Sequence, residues 1–166
     1  MPDAVKAISP EEFNRLYGRG GPAPAAAPAG RTLTFTVKGR ARGLARPKAT
    51  RMGTLGVRMY DPKSNVTAKA EVARAFTEAA RCIAVPLQAP VRLTVIASYH
   101  TPRKKLWGTA KLTRPDSDNC AKLALDGLQG LAYRDDSQVY RVECEKRWAA
   151  ESSFTISLEW EEIPKS

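Results

Sequence analysis

The sequence predicts one small α+β domain, in which a mixed sheet of about four strands carries two main helices on one face. Three observations lead to this prediction: apolar residues alternate in four segments, two helical apolar stripes lie between them, and the order along the chain is β-α-β-α-β-β. The 166 residues are enough for one well-packed core and too few for two full domains.

Alternation of apolar and polar residues marks the predicted strands. In chain order they cover 32–38, 91–99, 137–148 and 153–160. The last two are expected to form a hairpin that turns at 149–152. Residues 67–84 and 118–130 are expected to be helices, because helix formers and apolar residues recur there at three- and four-residue spacing. The basic, glycine-rich stretch 39–56 is expected to be a loop.

The first 30 residues are expected to lie outside the folded domain. Ser9 and Pro10 begin a short helical pattern over 9–17, and a tract of Pro, Ala and Gly follows over 18–30. Such a tract cannot bury a core, so the domain is predicted to span 31–166. The sequence contains neither a long apolar run nor a secretory leader pattern, which predicts a cytoplasmic protein without membrane contact.

The cysteines argue against a zinc or redox motif. Cys82, Cys120 and Cys144 are far apart and form no C-x-x-C pair. All three are expected to be buried free thiols in a reducing compartment.

The charge distribution predicts a polyanionic partner. Lys and Arg total 27 against 17 for Asp and Glu, a formal charge of +10. Two stretches, 31–60 and 103–114, contain basic residues and no acid, which is more than solubility alone needs. The residues in them that are expected to bind nucleic-acid phosphate are Arg40, Arg42, Arg46, Lys48, Arg51, Arg103, Lys104, Lys105, Lys111 and Arg114.

Aspartates are concentrated in one window of this basic chain, since five of the seven lie between positions 116 and 136. Asp118 is expected at the start of the second helix, where a carboxylate favours the exposed N–H groups, with Lys122 and Asp126 one and two turns later on the same face. Asp116 follows a proline and is expected just outside that helix.

The pair Asp135–Asp136 follows the same helix. A return of about ten residues is expected to bring it beside Asp116 and Asp118. Carboxylates packed together repel unless a cation neutralises them, and Mg²⁺ prefers oxygen ligands. In phosphodiester hydrolysis such a cation activates water and stabilises charge on the phosphate. Lys122 is a candidate to orient that water or neutralise the phosphate.

Each part of this window also has a structural explanation. Asp118 can serve only as an N-cap, Lys122 and Asp126 can form a surface ion pair, and the Asp135–Asp136 pair can be a polar turn. A calcium-binding EF-hand is excluded, because the sixth and twelfth loop positions lack the required Gly and Glu. The coincidence of all the parts in one window favours function.

The motif R-P-D-x-D-N-x-x-K-x-x-x-D-x-L at 114–128, followed by D-D-x-Q-V at 135–139, resembles the signature of the RusA family of Holliday junction resolvases. The segment F-T-V-K-G-R-A-R at 35–42 also resembles the opening strand of that family. The resemblance covers roughly 31–160, and the N-terminal segment falls outside it. It implies a homodimer that binds four-way or branched DNA and cuts it with Mg²⁺, for which Mn²⁺ can substitute.

The resemblance also assigns residues by matching position. It implies that the catalytic residues are Asp116, Asp118, Lys122 and Asp136, with the three carboxylates as the metal ligands. It implies supporting roles for Asn119, Asp126 and Asp135. Between the last pair of aspartates, Asp136 is the preferred ligand because it directly precedes Ser-Gln-Val.

Two other functions stay open at this point. The basic stretches also suit a protein that binds branched DNA without cutting it. The acids also suit a less selective nuclease that acts on flaps or replication forks.

Overall fold

The computed structural model describes residues 31–39, 43–45, 48–51 and 57–161, so the predicted N-terminal helix and linker lie outside the described residues. The regular elements are β1 (Arg31–Lys38), β2 (Lys48–Arg51), β3 (Val57–Tyr60), α1 (Lys63–Ala79), β4 (Val91–His100), α2 (Ser117–Leu128), β5 (Val139–Ala149) and β6 (Ser153–Trp160). Two short 3-10 turns, Lys104–Leu106 and Asp136–Gln138, lie before α2 and before β5.

The main sheet has the strand order β1-β6-β4-β5, with β4 and β5 parallel and the other pairs antiparallel. The predicted alternation explains its core face: β6 buries every second residue from Phe154 to Trp160, and Leu93, Val95 and Ala97 of β4 have no exposed surface. Both helices pack on the described sheet and on each other. The predicted α+β class, with a four-stranded mixed sheet and two helices, is confirmed.

The predicted hairpin between the last two strands is wrong. β4 lies between β5 and β6 and pairs with both. The reason is that β4, α2 and β5 form a crossover unit, and a helical crossover places its second strand parallel to the first. β6 then pairs with the other side of β4, while the half-exposed β5 takes the edge of the sheet.

Three further predictions need correction. The predicted loop 39–56 contains β2, which pairs antiparallel with β3 in a separate two-stranded sheet. The first long helix begins and ends earlier than predicted, at Lys63 and Ala79. Only Cys120 is fully buried, whereas Cys82 is exposed and Cys144 is half-buried.

Neither described helix has the length and apolar character needed to cross a membrane.

The two helices approach closely at Gly127. A Cβ atom there would lie 2.9 Å from Cβ of Val72 and 3.3 Å from the carbonyl oxygen of Lys69. The neighbouring atoms belong to a β-branched side chain and to backbone, so neither can move away freely. Glycine is therefore required at this position for α1 and α2 to pack at this distance.

We expect Gly127→Ala to lower the free energy of unfolding by about 1–2 kcal/mol, because overpacking outweighs the gain in helix propensity. Urea denaturation measures the change. In a Val72→Ala background the same substitution should cost less, since the Cγ1 methyl group of Val72, 3.0 Å from the added Cβ, is gone while Cβ of residue 72 stays. An equal cost in both backgrounds would show that contact with the methyl groups of Val72 is not the cause.

Candidate active site

The start of α2 lies at the end of the sheet where β4 and β5 finish. Lys146 near the end of β5 donates from Nζ to the carbonyl oxygen of Pro115 at 2.7 Å. Cys120, in the first turn of α2, lies 3.4 Å from the hydroxyl of Tyr99, the penultimate residue of β4. These contacts fix the N-terminal end of α2, and the two aspartates on it, against the sheet.

Asp116 occupies the N-cap position of α2, so Asp118 lies at the helix start as predicted, and the alternative in which it serves only as the N-cap is wrong. An N-cap aspartate normally accepts a hydrogen bond from a backbone N–H in the first turn. The side chain of Asp116 makes no such bond, and Asp118 lies within the first turn itself. The helix therefore does not use the carboxylate oxygens of Asp116 for its own capping.

Asp126 is held in an ion pair between the helices. Its carboxylate lies 3.0 Å from Nζ of Lys69 on α1, which also lies 3.0 Å from the carboxylate of Asp61. The hydrogen bonds from Asn65 and Lys69 lower the pKa of Asp61. The role of Asp126 is therefore structural: its ion pair with Lys69 connects α2 to α1.

Asp135 is also engaged structurally. It caps the 3-10 turn Asp136–Gln138, accepting a hydrogen bond from the backbone N–H of Ser137 at 3.0 Å, and Gln138 completes the capping box. The hydrogen bonds from Ser137 lower the pKa of Asp135. This places the capping role on Asp135 and leaves the neighbouring Asp136 exposed to solvent.

The remaining aspartates of the window have no protein partner in the described part of the chain. Asp116, Asp118 and Asp136 are exposed, and their carboxylates make no hydrogen bond or ion pair with any described residue. Lys122, one turn after Asp118, is exposed in the same way. The five aspartates thus divide into two that stabilise the fold and three that are available to a ligand.

The three available carboxylates do not meet within one chain. Asp136 lies at the other end of α2, where Gln138 donates to the carbonyl oxygens of Leu87 and Ala89 before β4. Because α2 has 12 residues, the two ends are separated by roughly 18 Å. Accordingly, no group of three acids, cysteines or histidines in residues 31–39, 43–45, 48–51 and 57–161 is close enough to hold a metal. The expectation that the return after α2 brings the aspartates together is not met.

The middle of the first basic stretch is anchored beside Asp116 and Asp118. The N–H of Leu44 donates to the carbonyl oxygen of Asn119 at 3.1 Å. A Cβ on Gly43 would lie only 2.7 Å from Cβ of Pro115, so the chain passes very close to the start of α2. Asn119, predicted to support the site, is half-buried, and its backbone carbonyl oxygen is the acceptor in this contact.

Asn65 is a positioning residue that the sequence analysis missed. Asn65 is 3% exposed, and its side-chain amide makes two hydrogen bonds with the backbone of Ala45. It accepts from the N–H of Ala45 at 2.9 Å and donates to the carbonyl oxygen of Ala45 at 2.8 Å. Its signal in the sequence is a polar residue on the apolar stripe of α1 that continues with Ala68, Val72 and Phe76. The start of α1 and the start of α2 together hold the 43–45 segment.

The predicted phosphate-binding residues fall into four groups. Arg40, Arg42 and Arg46 lie outside the described residues, and Lys48 and Arg51 are described only by their backbone in β2. Exposed positions in the second stretch are Arg103, Lys104, Lys105 and Arg114. Lys111 differs from all of these.

Lys111 is 6% exposed, so its position argues against direct contact with phosphate. Its ammonium donates to the carbonyl oxygen and hydroxyl of Thr113 at 2.9 and 2.8 Å and to the carbonyl oxygen of Arg114. It lies 4.6 Å from the ring centroid of Tyr99 and 5.1 Å from that of Trp148. Burial lowers the pKa of Lys111. This residue therefore shapes the turn that leads to Asp116.

A cavity of about 1060 Å³ opens next to this turn. It lies between the 43–45 segment, the first turns of α1, the end of β4 and the turn between β5 and β6. Its described lining includes Ser64, Tyr99, His100, Arg114, Trp148 and Ser152. The cavity is thus adjacent to the available carboxylates of α2.

Fold and site together define a class: a small α+β protein that presents unneutralised carboxylates beside exposed basic segments. Such an arrangement draws a polyanion to acidic side chains that would otherwise repel it. The chain belongs to the endodeoxyribonuclease RusA family, whose family model matches residues 38–159.

A curated relative supports this membership. The crossover junction endodeoxyribonuclease rusA of Lactococcus phage r1t is 40% identical over 58 residues, which are 34% of this chain and 44% of the relative. The matched segment therefore spans less than half the length of that protein.

Proposed function

We propose that this protein is an endonuclease that cuts branched DNA, with the four-way junction as its substrate. One observation carries the proposal: the three aspartates that match the metal-ligand positions of the family are the three left without a described protein partner. The other two aspartates of the window stabilise the fold instead. Family membership and the activity in the relative's name point to the same reaction.

The donor chemistry of the site fits a divalent cation. Asp116 and Asp118 offer hard carboxylate oxygens at the start of α2, and capping does not use those of Asp116. Mg²⁺ is commonly held by one or two carboxylates together with water and phosphate oxygens, and Mn²⁺ accepts the same ligands. When bound, the cation would supply an activated water and charge stabilisation at the phosphate.

Basic residues of the chain would attract the DNA phosphate to Asp116 and Asp118. Lys122 lies one turn after Asp118 and can set a positive charge beside the phosphate that is cut. Arg114 and the exposed basic side chains of residues 103–105 lie in the segment that leads to Asp116. Their attraction for DNA offsets the repulsion between the carboxylates and the backbone.

The distance to Asp136 requires a second copy if Asp136 is to act at the same site. A two-fold dimer provides two equivalent sites, as cutting two strands of like polarity needs. In our proposal each site combines Asp116 and Asp118 of one subunit with Asp136 of the partner subunit. In such a dimer all three predicted metal ligands contribute to the same site.

The edge of β5 is the surface we assign to that contact. Of the residues that the structure describes, 108–111 cover its outer side, and they do so only near Lys146 and Trp148, whereas Tyr140 and Val142 are 54% and 40% exposed. An uncovered strand edge pairs readily with another strand. In an antiparallel pair centred on Val142, residue 136 of one chain lies level with residue 148 of the other, since each is six residues from the centre. That level is the Asp116 end of α2.

We expect neutralising Arg103, Lys104 and Lys105 together to weaken junction binding and flatten its salt dependence. Each lost phosphate contact should reduce the slope of log K against log[salt] by about 0.9. Fluorescence anisotropy across a salt series measures this slope. As a control, Arg74→Ala with Arg81→Ala removes exposed charges near and just beyond the far end of α1 and should leave the slope unchanged. An unchanged slope in the triple variant would show that this loop does not contact phosphate.

The function itself is tested with a labelled four-way junction and a linear duplex of matched sequence, each with Mg²⁺ or with EDTA. We expect paired, metal-dependent cuts in the junction and little cutting of the duplex. Binding without metal-dependent cutting would favour a protein that only recognises branched DNA. Equal cutting of both substrates, or preference for flaps and forks, would favour a less selective nuclease.

A further inference from the structure

The cavity beside the carboxylates is not needed for the phosphate chemistry described above. Its volume, about 1060 Å³, is just above the range typical of sites that hold small organic ligands, about 300–1,000 Å³. Arg114 lines it and stands two residues before Asp116. A group that is covalently linked to a phosphate at Asp116 is therefore close enough to enter it.

The lining offers polar recognition. Nδ1 of His100 lies 2.5 Å from the carbonyl oxygen of Ala150. Because a carbonyl oxygen only accepts, Nδ1 is the donor in this hydrogen bond, and Nε2 is left for a ligand. Arg114 and the hydroxyls of Ser64 and Ser152 add hydrogen-bonding groups of both kinds.

Stacking is a smaller part of that recognition. Tyr99 and Trp148 also line the cavity, but the buried Lys111 ammonium lies over both rings. Hydrogen bonds to the edge of a planar heterocycle are therefore favoured over contact with its face.

We infer that this cavity receives one nucleoside of the strand that is cut, turned out of the base stack next to the phosphate held at Asp116. The inference rests on the proposed nuclease function and adds a base-binding site to it. Bases are most easily turned out where stacking is already interrupted, as at the branch point of a junction. The same cavity is of little use to a protein that contacts only the outside of a duplex.

Four-way junctions with a single 2-aminopurine at each nucleotide that flanks the cut phosphate test this inference. Binding is done in EDTA, so that no strand is cut, and cleavage of the same junctions with Mg²⁺ is measured in parallel. We expect the fluorescence to rise at one of these positions when the full-length protein binds, because the base leaves the stack.

Two fillers of the cavity, Ser64→Trp and Ser64→Leu, should remove that rise while the junction stays bound. The aliphatic filler separates exclusion of the base from quenching by an added indole. The matched control is Thr77→Trp, at an exposed position on the far end of α1, which should keep the full rise. Melting temperatures of all the variants report whether they fold.

The outcomes separate the two proposals. Cleavage with no fluorescence rise at any flanking position, or an undiminished rise in both folded fillers, overturns the base-binding site and leaves the nuclease intact. Failure to bind or cut the junction at all overturns the nuclease, and the base-binding site with it.

Discussion

Asp118→Asn is expected to lower the rate of junction cutting at least about 100-fold, because loss of a carboxylate ligand removes several kcal/mol of transition-state stabilisation and each 1.4 kcal/mol is tenfold. Junction affinity should stay the same or rise, since one negative charge facing the DNA backbone is gone. The two effects are measured separately, by single-turnover cutting with Mg²⁺ and by anisotropy in EDTA.

The control for this variant is Asp126→Asn. It makes the same chemical change eight residues later on the same helix, at a carboxylate that is paired with Lys69 at 3.0 Å. We expect its cutting rate to stay close to that of the wild type and its stability to fall by no more than about 1 kcal/mol, because the pair is partly exposed. Wild-type cutting by Asp118→Asn, or equal losses in both variants, would contradict the assignment of Asp118.

The elements that the sequence predicts well are those whose signal is local. β1, β4, β6 and α2 lie within two residues of their predicted bounds, because their apolar periodicity is complete within each segment. β2 was missed, since four residues in a basic, glycine-rich stretch carry no alternation. Its pairing with β3 depends on contacts that no single segment encodes.

Strand pairing shows the limit of local reasoning. β5 and β6 are separated by a short turn, which favours a hairpin when each strand is considered alone. The outcome is set by the whole sheet instead: β4 is buried along its length and needs a neighbour on both sides, while β5 is exposed enough to form an edge. The helix α2 between β4 and β5 in the sequence is typical of a crossover unit, which pairs these two strands in parallel.

The candidate site was also predictable only in part from the sequence. Motif spacing identifies which residues matter and the i+4 and i+8 relation on α2, but it does not give the direction in which the chain returns. The hydroxyl of Tyr133 donates to the carbonyl oxygen of Leu125, which keeps the return at the far end of α2. Likewise, only the folded structure distinguishes Asp135, which caps a turn, from the exposed Asp136.

A mixture of two inactive homodimers is expected to regain activity if the site is shared between subunits. Asp118→Asn and Asp136→Asn should each be inactive alone, because each removes one ligand from both sites of its dimer. In the mixed dimer one site carries both substitutions, whereas the other combines an intact Asp118 with an intact Asp136 of the partner subunit. Random exchange of equal amounts makes half of the dimers mixed, so about a quarter of all sites should be active.

The regained activity should have a distinctive product. Because a mixed dimer has one working site, it should nick the junction on one strand and should not make the paired cuts of the wild type. Denaturing gels of a junction labelled on each strand in turn distinguish the two products. In the control mixture, Asp116→Asn with Asp118→Asn, residues 116 and 118 of a site come from the same subunit, so every site keeps one substitution and should stay inactive. If the Asp118 and Asp136 mixture also stays inactive although subunit exchange is verified with tagged chains, the three carboxylates do not form a shared site. Asp136 would then have to act beyond the far end of α2, a helix about 18 Å long, and so too far from Asp116 to contact the same ion.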